Sequence, residues 1–212
     1  MKFLKIYSLF LFVALMGLVS CDETEEVGEY DNWAARNVAF IDSIADVAHT
    51  DESGEWKIFL VDGVDPLKVL QRNDKNQYYV YCNVIRESDG VETPDYSDTV
   101  LVNYRGRLIP SRTYPDGRIF DESYYGQLDP EINVPQKMNV SGVSILRGWT
   151  AAVSHMRKGM TLASGDVWRV YIPSTLGYEG STSVSGIPAY STLIFDINLV
   201  DISPVGTPVP EM

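Results

Sequence analysis

Residues 148–158 read Gly148-Trp149-Thr150-Ala151-Ala152-Val153-Ser154-His155-Met156-Arg157-Lys158, and their spacing decides the fold. Trp149, Ala152, Val153 and Met156 stand at i, i+3, i+4 and i+7, one stripe of an amphipathic helix. Arg157 and Lys158 suit the negative end of its dipole, and Gly159 is placed to cap it. On both sides the period drops to two. Tyr78 to Ile85 is aromatic and β-branched, and Thr99 to Leu108 sets Val100, Val102 and Tyr104 against Leu101, Asn103 and Arg105. Val167 to Ile172 alternates in the same way. Thr192 to Ile202 sets Leu193, Phe195, Ile197 and Leu199 against Asp196, Asn198 and Asp201. Strands with one apolar face build antiparallel sheets. A single short helix among them predicts an α+β domain, a curled antiparallel sheet (a half-barrel) wrapped over that helix.

Ahead of the strands, Trp33, Phe40, Ile41, Ile44 and Ala48 share one helical face between Tyr30 and Ala48. This helical extension, residues 30–77, either packs on its own domain or forms a homodimer through the 30–48 helix. Trp56 to Val61 is a short apolar run, and Asp62-Gly63-Val64-Asp65-Pro66 is a turn.

Residues 1–20 are not fold. Lys2 and Lys5 precede an apolar run from Ile6 to Val19, too short for a comfortable membrane span and suited to a signal peptide. It ends in Leu18-Val19-Ser20-Cys21, which resembles a bacterial lipobox, so Cys21 is the expected lipidation site. Asp22-Glu23-Thr24-Glu25-Glu26 follows within an acidic tether, residues 21–29, either a solvated spacer or a surface-export signal. The expected location is the cell envelope, lipid-anchored, with the outer membrane favoured. Residues 204–212 form a C-terminal tail.

Charge and composition narrow the chemistry. Among 212 residues, 17 Lys and Arg oppose 29 Asp and Glu, a net charge of −12. That disfavours nucleic acid, whose phosphates need clustered cations. Two histidines, His49 and His155, and two cysteines leave metal sites and His-based triads short of groups. No cofactor is expected. Cys82, in a strand, reads as a small buried hydrophobe, and His155 as a surface or satisfied histidine.

Five blocks in order now carry a family resemblance. They are Val100 to Leu108 (VLVNYRGRL), Asp116 to Ser123 (DGRIFDES), Ile145 to Trp149 (ILRGW), Tyr171 to Tyr178 (YIPSTLGY) and Gly186 to Asp196 (GIPAYSTLIFD). Over residues 78–203 the chain resembles an FKBP-type peptidyl-prolyl cis-trans isomerase. The resemblance implies an apolar prolyl pocket. Tyr104, Phe120, Asp121, Trp149, Tyr178 and Phe195 would be its catalytic set, and Ile145, Leu146, Ile187 and Gln136 its substrate-binding set. Trp149 would be the floor, Leu146 a backbone N–H donor, Tyr178 a hydroxyl donor, and Asp121 an orienting group paired with Tyr104. Gln136 stands where the family usually has an aromatic wall. Implied partners are proline-containing polypeptides and macrolides such as tacrolimus or rapamycin; the alternative is a binding or chaperone module with little turnover.

Overall fold

A computed structural model describes residues 28–208. The signal segment, Cys21 and residues 22–27 of the tether lie outside the described residues, as do residues 209–212. Residues 28–31 belong to a separate N-terminal unit, closed by a turn in which the Asp31 N–H donates to the Gly28 carbonyl.

From Asn32 onward the elements run α1 (Trp33–Thr50), β1 (Trp56–Leu60), α2 (Pro66–Leu70), β2 (Tyr79–Arg86), β3 (Thr99–Arg107), β4 (Ile119–Glu122), β5 (Gln136–Asn139), α3 (Arg147–Val153), β6 (Val167–Ile172) and β7 (Leu193–Ser203). Seven strands form one sheet in the order β1-β2-β6-β7-β3-β4, with β5 also on β3, and every pairing is antiparallel. Among the described residues no helix is long and apolar enough to cross a membrane.

The concave face of the sheet holds the core. Val100 and Val102 of β3, Trp168, Val170 and Ile172 of β6, and Phe195, Ile197 and Leu199 of β7 close over Trp149, Ala152 and Val153 of α3. Gly148 allows the approach, because a Cβ there would lie 2.3 Å from the Ile172 side chain. The helix stops at Val153, short of the expected Lys158. Asp166, fully buried, accepts the Arg157 N–H on one carboxylate oxygen at 2.7 Å and the Ser88 N–H on the other at 2.6 Å. The Asp166 N–H returns a bond to the Arg157 carbonyl. These bonds draw Arg157 out of the helical ladder, yet Met156 stays in the core.

The convex face departs from the expectation of one buried face. Ile41, Ala45 and Ala48 of α1 bury Tyr81, with Trp56, Ile58, Tyr79 and Tyr171 packed around them. Trp56 stacks on Tyr171 at 5.7 Å. The apolar stripe that could have met a second copy is therefore covered by the chain's own sheet. α1 begins at Trp33 rather than Tyr30 because Asn32 takes a left-handed conformation. Its first turn is tied down from the side: Trp33 Nε1 donates to Ser191 Oγ at 2.8 Å, and Asn37 Oδ1 accepts the Thr192 N–H at 2.7 Å. The stretch 30–77 also contributes β1 to the main sheet, so it is not helical throughout.

Farther along the convex face, Asn103 and Asn198 face each other fully buried, and Asp196 bridges Arg169 at 2.6 Å and Arg107 at 2.8 Å. Burial pushes the Asp196 carboxyl up, but hydrogen bonds and charge from Arg169 and Arg107 outweigh it and hold the group below the usual aspartate value. Tyr124 covers this polar patch, its ring 4.5 Å from the Arg105 guanidinium.

Candidate functional site

β3 is shared along one edge. Thr99 to Val102 pairs with β5, while Arg105 to Arg107 pairs with β4. Where the two partners separate, the sheet forks, and a cleft opens toward α3. Tyr104, Phe120, Asp121, Met138, Ser144, Ile145, Leu146, Trp149, Tyr178 and Phe195 line it.

Trp149 and Phe195 are 3% and 6% exposed and form the floor. Their rings meet edge to face at 5.5 Å, Tyr104 meets Trp149 likewise at 5.7 Å, and Phe120 meets Phe195 at 5.5 Å. Interplanar angles of 82° to 89° are the arrangement that aromatic quadrupoles favour, so each ring helps fix the next. Gly106 is the seat of this assembly. A Cβ on it would fall 2.6 Å from Phe120 and 2.8 Å from Phe195.

The polar groups stand at the rim. The Tyr104 hydroxyl donates to Asp121 Oδ2 at 2.8 Å. Desolvation, reinforced by that hydrogen bond and the Asp121 charge, raises the Tyr104 pKa well above the ordinary phenol value. Desolvation and then the Asp121 charge raise Tyr178 as well. Both phenols therefore stay protonated across the physiological range. Among the described residues the Tyr178 hydroxyl has no hydrogen-bond partner, which leaves it free to donate into the cleft. Tyr178 is positioned by the 3-10 turn Ser174–Leu176, anchored through the buried Leu176 and a bond from Thr175 Oγ1 to the Gln77 carbonyl. Leu146 is the N-cap of α3, and its N–H belongs to the set that a helix start leaves without intrahelical acceptors.

Eight of the sequence-derived residues thus converge on one cleft, and two do not. Ile187 is buried in the core and lines no part of it. Gln136 is exposed at the start of β5, while Met138, two positions on, supplies that wall. Met138, Ser144 and Gly106 were not found by sequence reasoning. Period-two spacing from Gln136 points to Met138, but the polar run Gln136-Lys137-Met138-Asn139 gave no strand signal.

The cleft holds about 90 Å³. That is small against the roughly 300–1,000 Å³ of drug-sized pockets and of the order of a single small ring. Grooves of about 510 Å³ beside Lys158 and Met160 and about 470 Å³ between Phe40 and Arg107 are larger, but the first has no aromatic lining, and in the second the arginines beside Phe40 and Tyr171 are already paired with Asp196.

Residues 90–200 match the FKBP-type peptidyl-prolyl cis-trans isomerase family, and the chain belongs to it. It is 38% identical over 113 residues to the FKBP-type peptidyl-prolyl cis-trans isomerase FkpA of Escherichia coli strain K12, covering 53% of this chain and 34% of that protein. It is 31% identical over 111 residues to the peptidyl-prolyl cis-trans isomerase Mip of Coxiella burnetii, covering 52% and 40%. The match thus spans about a third of the length of the FkpA relative and two fifths of the Mip relative. The crystal structure of FkpA from Escherichia coli superposes with a TM-score of 0.53 at 27% identity, covering 82% of this chain and 62% of that one. A peptidyl-prolyl isomerase structure from Pseudomonas syringae pv. tomato, at 24% identity and TM-score 0.52, shares the fold and covers 80% and 96%.

Proposed function

We propose that this chain catalyses cis–trans isomerisation of X–Pro bonds in exported polypeptides. The observation that carries the reading is a ring-sized cleft floored by Trp149 and Phe195, with the Tyr178 hydroxyl, unpartnered among the described residues, at its rim. Rotation about an X–Pro bond faces a barrier of about 18–20 kcal/mol, because resonance gives the C–N bond double-bond character. In the twisted state that resonance is lost and the amide is less polar. An apolar, water-poor cleft destabilises the planar form relative to the twisted one, and differential binding of this kind is sufficient for catalysis. Lowering the barrier by about 6–8 kcal/mol would accelerate rotation roughly 10⁴- to 10⁶-fold.

In this reading Trp149, Phe195, Phe120 and Ile145 grip the pyrrolidine ring. The Leu146 N–H and the Tyr178 hydroxyl hold substrate carbonyls, fixing one side of the bond while the other turns. Asp121, held by Tyr104, orients the peptide at the mouth. No proton changes hands, which agrees with tyrosines that stay protonated.

A protease-coupled assay on a tetrapeptide with a central X–Pro tests the reading. Acceleration at micromolar protein is expected. None, from protein shown to be folded, would reduce the chain to a module that holds proline segments without turning them over. Tacrolimus or rapamycin would enter by one ring, since about 90 Å³ admits no more. Affinity weaker than nanomolar is expected, because the wall above that ring is the flexible Met138 rather than a rigid aromatic, and Gln136 is exposed.

The leader Met1 to Ser20 and the lipobox-like Leu18 to Cys21 support export and acylation at Cys21, and with them a location on an envelope membrane. Acyl chains would supply the attachment at about 0.8 kcal/mol per buried CH₂, since an acidic protein is repelled by anionic headgroups. Cys21→Ser should move the protein from the membrane fraction to the soluble one.

A further inference from the structure

β1 ends the sheet, and among the described residues no strand pairs with its far edge. Two hydrogen bonds at its ends fix how its backbone points. The Val84 N–H donates to the Glu55 carbonyl at 2.7 Å, and the Val61 N–H to the Tyr78 carbonyl at 3.4 Å. Glu55 and Val61 therefore turn toward β2. By the alternation of an antiparallel ladder so do Lys57 and Phe59, while Trp56, Ile58 and Leu60 aim their backbone groups away. Asp51 agrees with this direction, because its Oδ2 accepts the Trp56 N–H at 3.1 Å from outside the ladder. That leaves the N–H and C=O of Ile58 and Leu60, and the C=O of Trp56, without a protein partner among the described residues.

Open edges are ordinarily guarded by proline, by a bulge or by charge. β1 has no proline, and its register with β2 runs unshifted from Trp56 to Leu60. Its one charge, Lys57, lies on the concave side over the Trp168 ring at 5.8 Å. Asp51 blocks a single donor at one end.

We propose that this edge pairs with the same edge of a second copy of the chain, antiparallel and two-fold symmetric about Ile58. Ile58 then exchanges both its backbone bonds with Ile58 of the second copy, and each Leu60 N–H donates to the opposite Trp56 carbonyl. The register is self-complementary in its side chains. Trp56 faces Leu60 on the convex side, and Lys57 faces Phe59 on the concave side, so the two lysines never oppose each other. The fork that forms the cleft lies at the β3–β4 end of the sheet, so both clefts stay open, and the proposal does not rest on the isomerase reading. An interface of one short strand is small, of the transient class.

Sedimentation of the full chain carrying Cys21→Ser, read with amide hydrogen exchange from about 10 to about 500 µM, tests this at concentrations suited to a weak dimer. A monomer–dimer equilibrium is expected. Protection of the Ile58 and Leu60 amides should rise about tenfold across the range, while Lys57 and Phe59 stay protected throughout. In the same background Ile58→Cys should oxidise to a covalent dimer and Lys57→Cys should not. Directly opposed Cα atoms lie about 5.5 Å apart, within disulfide reach. Should Ile58→Cys fail to fold, sedimentation and exchange on the otherwise unaltered chain still decide. A monomer at every concentration, or a dimer with unprotected Ile58 and Leu60 amides, would overturn the proposal. So would protection gained only when an unfolded polypeptide is added.

Discussion

Replacing Gly106 by alanine tests whether the aromatic box is the functional part. The new methyl would sit 2.6 Å from Phe120 Cζ and 2.8 Å from Phe195 Cε1, whereas ordinary contacts begin near 3.4 Å. Phe195 cannot yield, because it is 6% exposed and wedged edge-on against Trp149 and Phe120. Phe120 is half-buried at the cleft mouth and would swing into the space a proline ring needs. Overpacking of this kind costs about 1–3 kcal/mol. Alanine recovers about 0.4–1 kcal/mol by restricting the unfolded chain, so the net loss of stability should be no more than about 2.6 kcal/mol. Activity should suffer more. Losing the Phe120–Phe195 contact and part of the cleft removes transition-state binding of about 1.5–3 kcal/mol, roughly a 10- to 150-fold fall in kcat/KM. Urea unfolding and the X–Pro assay on one preparation separate the two effects. A variant within twofold of wild type in kcat/KM would refute the claim that the ring assembly over Gly106 sets catalysis.

Four further outcomes are expected. Tyr178→Phe removes one donor and should lower kcat/KM about 2- to 10-fold with an unchanged urea midpoint, the size of one hydrogen bond. Because Tyr104 and Tyr178 are both raised, kcat/KM should be flat from pH 6 to about pH 9; a titration centred in that window would refute a mechanism in which no proton changes hands. Asp196→Asn leaves Arg107 and Arg169 facing no carboxylate and should cost about 3 kcal/mol at neutral pH in a denaturant melt. Since the folded Asp196 pKa is depressed, that stability is complete above the unfolded value near 3.9. It is lost as the pH falls through the lower folded value, so the wild type should converge on the variant in acid. Ile41→Ala, at a fully buried position of α1, should cost about 2–4 kcal/mol in a single cooperative transition; a separate early transition would mean that α1 folds apart from the sheet.

The strands and the central helix were legible because period is a local property. Val100 to Leu108 and Thr192 to Ile202 announce a sheet, and Trp149 to Met156 a helix, without knowledge of their neighbours. Layering was less legible. Tyr79, Tyr81 and Tyr171 stand on the face opposite the core, yet α1 covers them, and that pairing joins segments far apart in sequence. The end of α3 at Val153 was hidden for the same reason, since Asp166 closes it from the next strand's approach. At the site, the aromatic residues and Asp121 could be placed by motif. Met138 and Gly106 could not, because one follows from strand parity in a polar run and the other from two rings that meet only after folding.

β4 and β5 take turns along a single edge of β3, and Ser123 to Pro135 joins them. Apart from Tyr124, little of that connection is buried. How widely the two arms are held apart is thus governed by a segment on which the domain's stability scarcely depends. Selection can lengthen, stiffen or recharge that bridge to admit different polypeptides while the seat beneath the ring is left as it is.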